Sequence, residues 1–559
     1  VRTIDRRIGF LFFCFLLLMS IAVARAAWIQ GVEGSRLAAD AHLQQTETVE
    51  IPGQRGRILD RRGRELAVSE DAADIVATPY QVKDRERTAA KLAGPLGMSP
   101  AEVLKALASG SPGFAYVKRQ VDLQTAAEVE KLHLRGISTE PDSRRVYPEG
   151  QLAGQVIGTV GVDGEGLTGL EAAYDGVLAG ANGEREIVLD GLQKEIERKT
   201  ISEPKTGGDV QLTIDAGLQA ETQRVLAQVG QTFKPRQATA IVMDPRNGRV
   251  LAMADWPPIN PADPAGANPE DLKNMATSFT YEPGSTFKAF TVAGALQDHV
   301  VTPSTTFTIP PELQVADRTI TDAEAHGTEV LTVAKILAYS SNIGAAEIGL
   351  RLNAEKGPGR FNHWVHRFGF DRPTGIQFPG EERGIVPKPS EYSGSTMGNL
   401  PIGQGLSVTP IQIATAYAAI ANGGVLRRPQ LVESVDGQRV REPRGRRIIS
   451  RRTAEQLRRM LEGVLAPGGT ASEVSVPGYT LAGKTGTAQK VVNGTYSHTK
   501  FVASFVGFAP AQDPRLLAAI VVDEPSAVSY YGGAVAAPAF GEIAKFALPY
   551  LHIRPDRAP

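Results

Sequence analysis

The chain has 559 residues, too many for one hydrophobic core, so two or more domains are expected. Its 60 basic and 61 acidic residues nearly balance, which argues against a nucleic-acid binder and against an acidic interaction tail. The single cysteine, Cys14, lies in an apolar N-terminal run, excluding a disulfide framework and a cysteine-based metal site, and His299 and His498 sit in no ligand-spaced cluster that would suit a zinc hydrolase.

Residues 8–24 are uncharged and, at ~1.5 Å per residue, about long enough to cross the hydrocarbon of a bilayer. Residues 1–7 hold Arg2, Arg6 and Arg7, so the N-terminus is expected to stay cytoplasmic and the rest of the chain to face outward. A cleaved signal peptide, with Ala22-Val23-Ala24 as its small-residue site, is the alternative; signal h-regions run ~7–15 residues, and this run is longer. No second apolar run of that length follows, so a single-pass protein is expected. Residues 25–45 turn polar and alanine-rich and read, from Gln30, as a helical stalk.

A mixed segment, 46–208, carries strand-like stretches at 57–60 and 73–77 and closes on a connector at 200–208. The last large block, 209–551, opens with a strand at 209–214 and an alanine-rich helix from about Leu218. A hairpin follows, 238–243 and 249–253, around the turn Pro245-Arg246-Asn247-Gly248. The proline-rich run 256–269 reads as a surface loop, and 331–339 and 343–352 read as helices. A second hairpin spans 479–492 and 501–508 across Asn493-Gly494, before a strand at 516–522, a closing helix at 534–549 and a tail at 552–559. Two strands, a helical insert, three strands and a final helix predict an α+β domain with an antiparallel sheet flanked by helices.

Three short segments inside that block carry the chemistry. Ser285 and Lys288 lie one helical turn apart, after a turn at Glu282-Pro283-Gly284, and Phe287, Phe290, Ala293 and Leu296 recur on one face. A desolvated Lys288 can take the proton of Ser285, making the serine an acyl nucleophile and the lysine its general base. Ser340-Ser341-Asn342 lies between two helical stretches, where Ser340 would relay a proton and Asn342 would hold a substrate amide. Lys484-Thr485-Gly486-Thr487 follows a strand; Lys484 supplies positive potential, Thr485 and Thr487 supply hydroxyls for a carboxylate, and Gly486 lets a substrate backbone approach. The N–H groups of Ser285 and Thr487 would form an oxyanion hole. In that order the three segments supply the parts needed to acylate a serine with a peptide carbonyl or a β-lactam.

The same patterns recur where they can do nothing. Ser202 and Lys205 share the serine–lysine spacing, but Pro204 bars a helix interior between them. Ser497 and Lys500 share it too, inside a hairpin, where positions i and i+3 point to opposite faces. Helix caps and exposed basic strand residues are the bland alternatives for the second and third segments, and the ordered set of three argues against them.

At 281–288, 340–342 and 484–490 the chain resembles the penicillin-binding proteins, and 402–410 and 530–538 resemble that family's Gly-Gln-Gly segment and closing-helix entry. Upstream, 55–63, 144–148 and 166–171 are similar to motifs of the class B pedestal, where turns and salt bridges give them a structural role. One departure is Asn274-Met275-Ala276, where relatives more often carry Asn-Arg-Ala. The resemblance implies a penicillin-binding/β-lactamase-like transpeptidase domain at 209–551, an elongated mixed α/β pedestal of the dimerisation type at 46–208, and one transmembrane anchor. It implies no glycosyltransferase domain and no small C-terminal repeats.

The implied activity is that of a monofunctional D,D-transpeptidase, without cofactor or metal, that cross-links peptidoglycan stem peptides with a D-Ala-D-Ala donor outside the cytoplasmic membrane and is blocked by β-lactams. The modest length and compact pedestal resemble the septal, cell-division type more than the elongation type. Partners implied are a SEDS-family glycan polymerase and small bitopic division proteins. A D,D-carboxypeptidase or β-lactamase-like hydrolase differs only in using water as acceptor, and turnover of a β-lactam would mark it. A membrane β-lactam sensor needs more cytoplasmic machinery than precedes Ile8, and a non-catalytic divisome scaffold would complement growth without Ser285.

Overall fold

The computed structural model describes residues 2–36, 46–189, 195–442 and 444–557. Contacts divide the chain into two compact units: Val1–Gln54, Asp71–Ser143 and Gly180–Thr206 form the first, and Arg55–Glu70, Arg144–Ala179 and Gly207–Pro559 form the second. The 46–208 segment therefore contributes to both.

In the first unit, helix Arg2–Trp28 holds the apolar run, and the stretch Ile4–Arg36, with an 18-residue window of mean hydropathy 2.3, is long and apolar enough to cross a membrane. The part of the expected stalk at 37–45 lies outside the described residues. Strands Thr46–Ile51, Gly183–Leu189 and Glu195–Ser202 form an antiparallel sheet with Gly183–Leu189 in the middle, so the expected connector begins as strand. Ser202 ends that strand, where its hydroxyl accepts from Glu184 N at 3.0 Å. Helices Arg85–Leu96 and Pro100–Ala108 pack with strand Ala115–Asp122 around Leu92, Leu96, Val103, Leu107, Val117 and Val121.

In the second unit, Ile58 and Leu59 pair in parallel with Val210 and Gln211. Nearby, the fully buried Glu171 binds Arg55 (Nε–Oε2, 2.5 Å) and Arg145 (Nη2–Oε1, 2.7 Å), each only 6% exposed. Arg145 also donates to Gly56 O at 2.8 Å. The three upstream blocks that resemble pedestal motifs thus meet at one buried ion network, and 55–70 and 144–179 belong to this second unit.

The main elements of this unit, in chain order, are α1 (Ala216–Phe233), β1 (Gln237–Met243), β2 (Val250–Trp256), α2 (Lys288–Gln297), α3 (Val333–Tyr339), α4 (Asn342–Lys356), α5 (Pro410–Ala421), α6 (Arg451–Glu462), β3 (Ala482–Val492), β4 (Thr495–Ala509), β5 (Leu516–Asp523) and α7 (Ala537–Tyr550). The five strands form one antiparallel sheet in the order β2-β1-β5-β4-β3. Alternate residues serve opposite faces. Ala240, Val242, Ala518 and Ile520 face a core with Leu226 of α1 and Phe540, Ile543 and Ala544 of α7. Ile241, Met243, Leu517 and Ala519 face the other core, with α2, α5 and α6.

Local differences from the sequence reading have physical causes. Residues 479–481 precede β3 rather than joining it, because Tyr479 donates to Ile553 O (2.6 Å) and Thr480 N to Asp556 Oδ1 (2.7 Å). Residues 331–332 end a strand, Glu329–Thr332, and Thr332 then caps α3. Met275, at the departure noted above, is buried; its N–H and the Asn274 side chain donate to Asp255, whose carboxyl burial pushes up to about 7.

The variant Glu171→Ala leaves the buried Arg145 without its carboxylate and Arg55 with Asp175 alone, at 2.7 Å. It is expected to lower stability by about 3–5 kcal/mol, measured as an earlier midpoint in urea unfolding. A midpoint equal to wild type would contradict the role given to this network.

Candidate active site

Ser285 lies on a short 3-10 turn, Gly284–Phe287, that runs directly into α2. The sequence reading gave this helix one apolar face; every residue from Lys288 to Leu296 is in fact buried, because α2 is an inner helix enclosed by other elements. Phe287 and Phe290 pack ring to ring at 5.3 Å, and Phe290 meets Phe368 at 4.9 Å and Tyr417 at 5.2 Å. The Tyr417 hydroxyl donates to Thr286 O at 2.7 Å, fixing the turn from below.

The turn is wedged between two other backbones. Gly284 N donates to Gly403 O at 3.0 Å, and a Cβ on Gly403 would lie 2.1 Å from Gly284 O. On its other side, a Cβ on Gly284 would lie 3.2 Å from Thr487 O, and one on Gly486 would lie 2.3 Å from Ser504 Oγ and 2.9 Å from Thr286 Cγ2. Gly486 is therefore glycine because β3 passes so close to β4 and the nucleophile turn, a packing reason that the sequence reading did not contain. The residues of the two expected oxyanion donors, Ser285 and Thr487, are thereby neighbours.

Lys288 is wholly buried. Its Nζ lies against Ser340 O, 3.2 Å from Ser340 Oγ and 2.7 Å from Asn342 Oδ1. Ser340 adopts φ 64° at the end of α3, and this left-handed turn aims both its carbonyl and its hydroxyl at the amine. All three partners are neutral oxygens, and among the described residues Lys288 makes no ion pair. Burial pushes its pKa down to about 7, opposed by the charge of Asp322. Ser285 is half-buried, and among the described residues its hydroxyl has no hydrogen-bond partner.

Asn342, expected to hold a substrate amide, accepts from Lys288 at Oδ1, and its side-chain N–H donates to Thr321 O at 2.8 Å, so both ends of its amide have partners within the protein. Lys484 is also wholly buried, with Thr485 O at 3.3 Å; burial and then the charge of Lys288 push its pKa well down. Thr485 Oγ1 lies 2.7 Å from Thr470 Oγ1, and Thr487 Oγ1 accepts from Gly532 N at 3.0 Å. At this edge Phe501 stacks on Tyr530 at 4.1 Å, and Tyr530 leans on Tyr531 at 4.5 Å.

The look-alike pair behaves differently. Lys500 is exposed and paired with Glu524 at 3.1 Å, and Ser497 Oγ accepts from Lys500 N at 3.1 Å. Sequence reasoning missed Thr470, Asp322 and the aromatic edge. Asp322 lies 18 positions before Ser340 in a loop with no motif, so only the folded chain reveals it.

A family model described as the penicillin binding protein transpeptidase domain matches residues 238–545, and one described as the penicillin-binding protein dimerisation domain matches 50–212. The chain is 34% identical to stage V sporulation protein D of Bacillus subtilis, over 99% of this chain and 87% of that one. It is 33% identical to peptidoglycan D,D-transpeptidase FtsI of Escherichia coli, over 99% and 93%. The crystal structure of penicillin binding protein 3 from Mycobacterium tuberculosis, complexed with aztreonam, superposes with a TM-score of 0.71 at 29% identity, covering 91% of this chain and 98% of that one.

If Lys288 takes the Ser285 proton, only its neutral amine is competent, and lowering the pH through about 7 removes that form. Acylation of Ser285 by a reactive lactam is expected to rise with pH up to about 7 and level off above it. A rate still climbing toward 10.5, the ordinary lysine value, would contradict the assignment.

Proposed function

Since this chain belongs to the class B penicillin-binding proteins, we propose that Ser285, Lys288, Ser340 and Lys484 run its peptidoglycan D,D-transpeptidase cycle and that β-lactams halt that cycle at the acyl stage. Lys288 takes the hydroxyl proton as Ser285 Oγ attacks the carbonyl of the penultimate D-alanine in a donor stem peptide. The N–H groups of Ser285 and Thr487 hold the oxyanion. The carbon–nitrogen bond to the terminal D-alanine breaks, and the departing amine takes its proton through Ser340. An amine from a neighbouring stem peptide then attacks the ester, gives up a proton through the same groups and frees Ser285. A donor carboxylate beside Lys484, Thr485 and Thr487 favours the charged form of that lysine, offsetting the burial that lowers its pKa.

The observation that carries this reading is the Lys288 amine, buried and bound to three neutral oxygens of Ser340 and Asn342 one turn from Ser285. The three arginines at 2, 6 and 7 support an inward N-terminus and an outward catalytic unit, with 8–24 as anchor, 46–208 as pedestal and 209–551 as transpeptidase. The 33% identity to FtsI over 99% of this chain supports septal use during division, beside a SEDS-family polymerase and bitopic division proteins.

Fluorescent penicillin is expected to label the purified protein stably and to leave Ser285→Ala unlabelled, while a D-Ala-D-Ala peptide plus an acceptor amine releases D-alanine only from wild type. Rapid loss of label would indicate a hydrolase, and an unlabelled wild type would overturn the acyl-transfer reading. A fluorescent fusion is expected at the division site; even distribution along the side wall would favour elongation.

A further inference from the structure

We propose that Asp322 is a positioning residue of the acyl-transfer site, holding Ser341 and Asn342 in place and, through them, the oxygens that bind Lys288. The inference rests on the function proposed above. Asp322 lies just beyond the short strand Arg318–Ile320 and is 11% exposed at its side chain. Its Oδ2 accepts from Ser341 Oγ at 2.8 Å; its Oδ1 accepts from Asn342 N and, at 3.1 Å, from Ile343 N. These amides open α4, where a helix leaves N–H groups unpaired and favours negative charge. Ser341 already caps α4 by accepting from Gly344 N at 3.0 Å, so the carboxylate is a second, non-local cap delivered from 19 residues away.

Thr321 and Asp322 hold Asn342 from both sides: the Thr321 carbonyl takes its side-chain amide and the Asp322 carboxylate takes its main-chain N–H. The remaining end of the Asn342 side chain, Oδ1, is what Lys288 Nζ touches at 2.7 Å. Displacing Asp322 therefore loosens the first residues of α4 and one of the three oxygens around the amine.

Position also sets charge. Asp322 is the carboxylate whose field raises the basicity of Lys288 against burial, and Lys484 is a second buried amine whose pKa burial and then the charge of Lys288 lower. Asp322 is itself faced by His326, whose Nε2 lies 3.1 Å from Oδ2 while its Nδ1 lies 2.6 Å from Gly327 O and 3.8 Å from Glu329 Oε1. Both ring nitrogens meet acceptors, so the imidazolium satisfies both contacts and its pKa is raised, first by the Gly327 carbonyl.

The test is the rate of acylation by fluorescent penicillin, followed across a pH series for wild type, Asp322→Asn and Asp322→Glu, with Ser285→Ala as blank and thermal melting as the check on folding. Asp322→Asn is expected to acylate about tenfold more slowly, the loss of a charged hydrogen-bond acceptor, with apparent penicillin affinity little changed. Its acid limb is expected at lower pH than wild type, because removing the negative charge makes Lys288 easier to deprotonate. A contact too remote to bear on Lys288 would not move that limb, so slower labelling with an unmoved limb overturns the proposal, as does a wild-type rate. If Asp322→Asn does not melt as a folded protein, Asp322→Glu decides: it keeps the charge but displaces the oxygens, so slower labelling with the wild-type limb supports positioning and a wild-type rate overturns it. A wild type that takes no label contradicts the acyl-transfer reading itself and this inference with it.

Discussion

A lysine amine buried without a carboxylate in contact is the constraint on which the catalytic unit depends. At its ordinary pKa of 10.5 only roughly one Lys288 in three thousand would be neutral at pH 7; near 7, about half would be. Burial alone would also make the charged form costly enough to threaten folding, since an isolated buried ion costs several kcal/mol. The site resolves this with three neutral oxygens from Ser340 and Asn342 and a carboxylate, Asp322, held one residue further out. Lys500 lies at the other extreme, exposed and paired with Glu524.

Placing that amine beside a serine requires three distant stretches of chain to meet more closely than side chains allow. Gly284, Gly403 and Gly486 let the nucleophile turn, the Gly-Gln-Gly loop and strand β3 touch backbone to backbone, and a single methyl at Gly403 would run into Gly284 O. Gly532 continues the series, since its Cβ would lie 2.2 Å from Gly486 O. The sheet carrying β3 is buried on both faces, and α2 is buried all round, so these approaches are held by a packed interior.

The sequence carried the ordered motifs and most of the strands because both are local patterns: serine–lysine spacing on a helix, Asn-Gly turns and runs of β-branched residues. Context was enough to set aside Ser202 and Ser497, and in the fold the first accepts a backbone N–H while the partner of the second is ion-paired. What could not be read is non-local. Arg55, Arg145 and Glu171 are separated by up to 116 positions, and their buried network lies in a unit that takes only parts of one apparent domain. The packing reason for Gly486 depends on Ser504 and Thr286, and the engagement of Asn342 depends on Thr321. Asp322 carries no motif at all, since a lone aspartate in a loop becomes meaningful only when a helix start is brought against it.

The central claim, that Lys288 is a buried amine available as a base near neutral pH, is tested most directly by NMR titration of the lysine side chains in protein carrying 13C at Cε, with the Lys288 signal assigned by Lys288→Arg. The account predicts a titration for Lys288 centred about 7. A Lys288 signal that stays charged up to the ordinary value of 10.5 would contradict it.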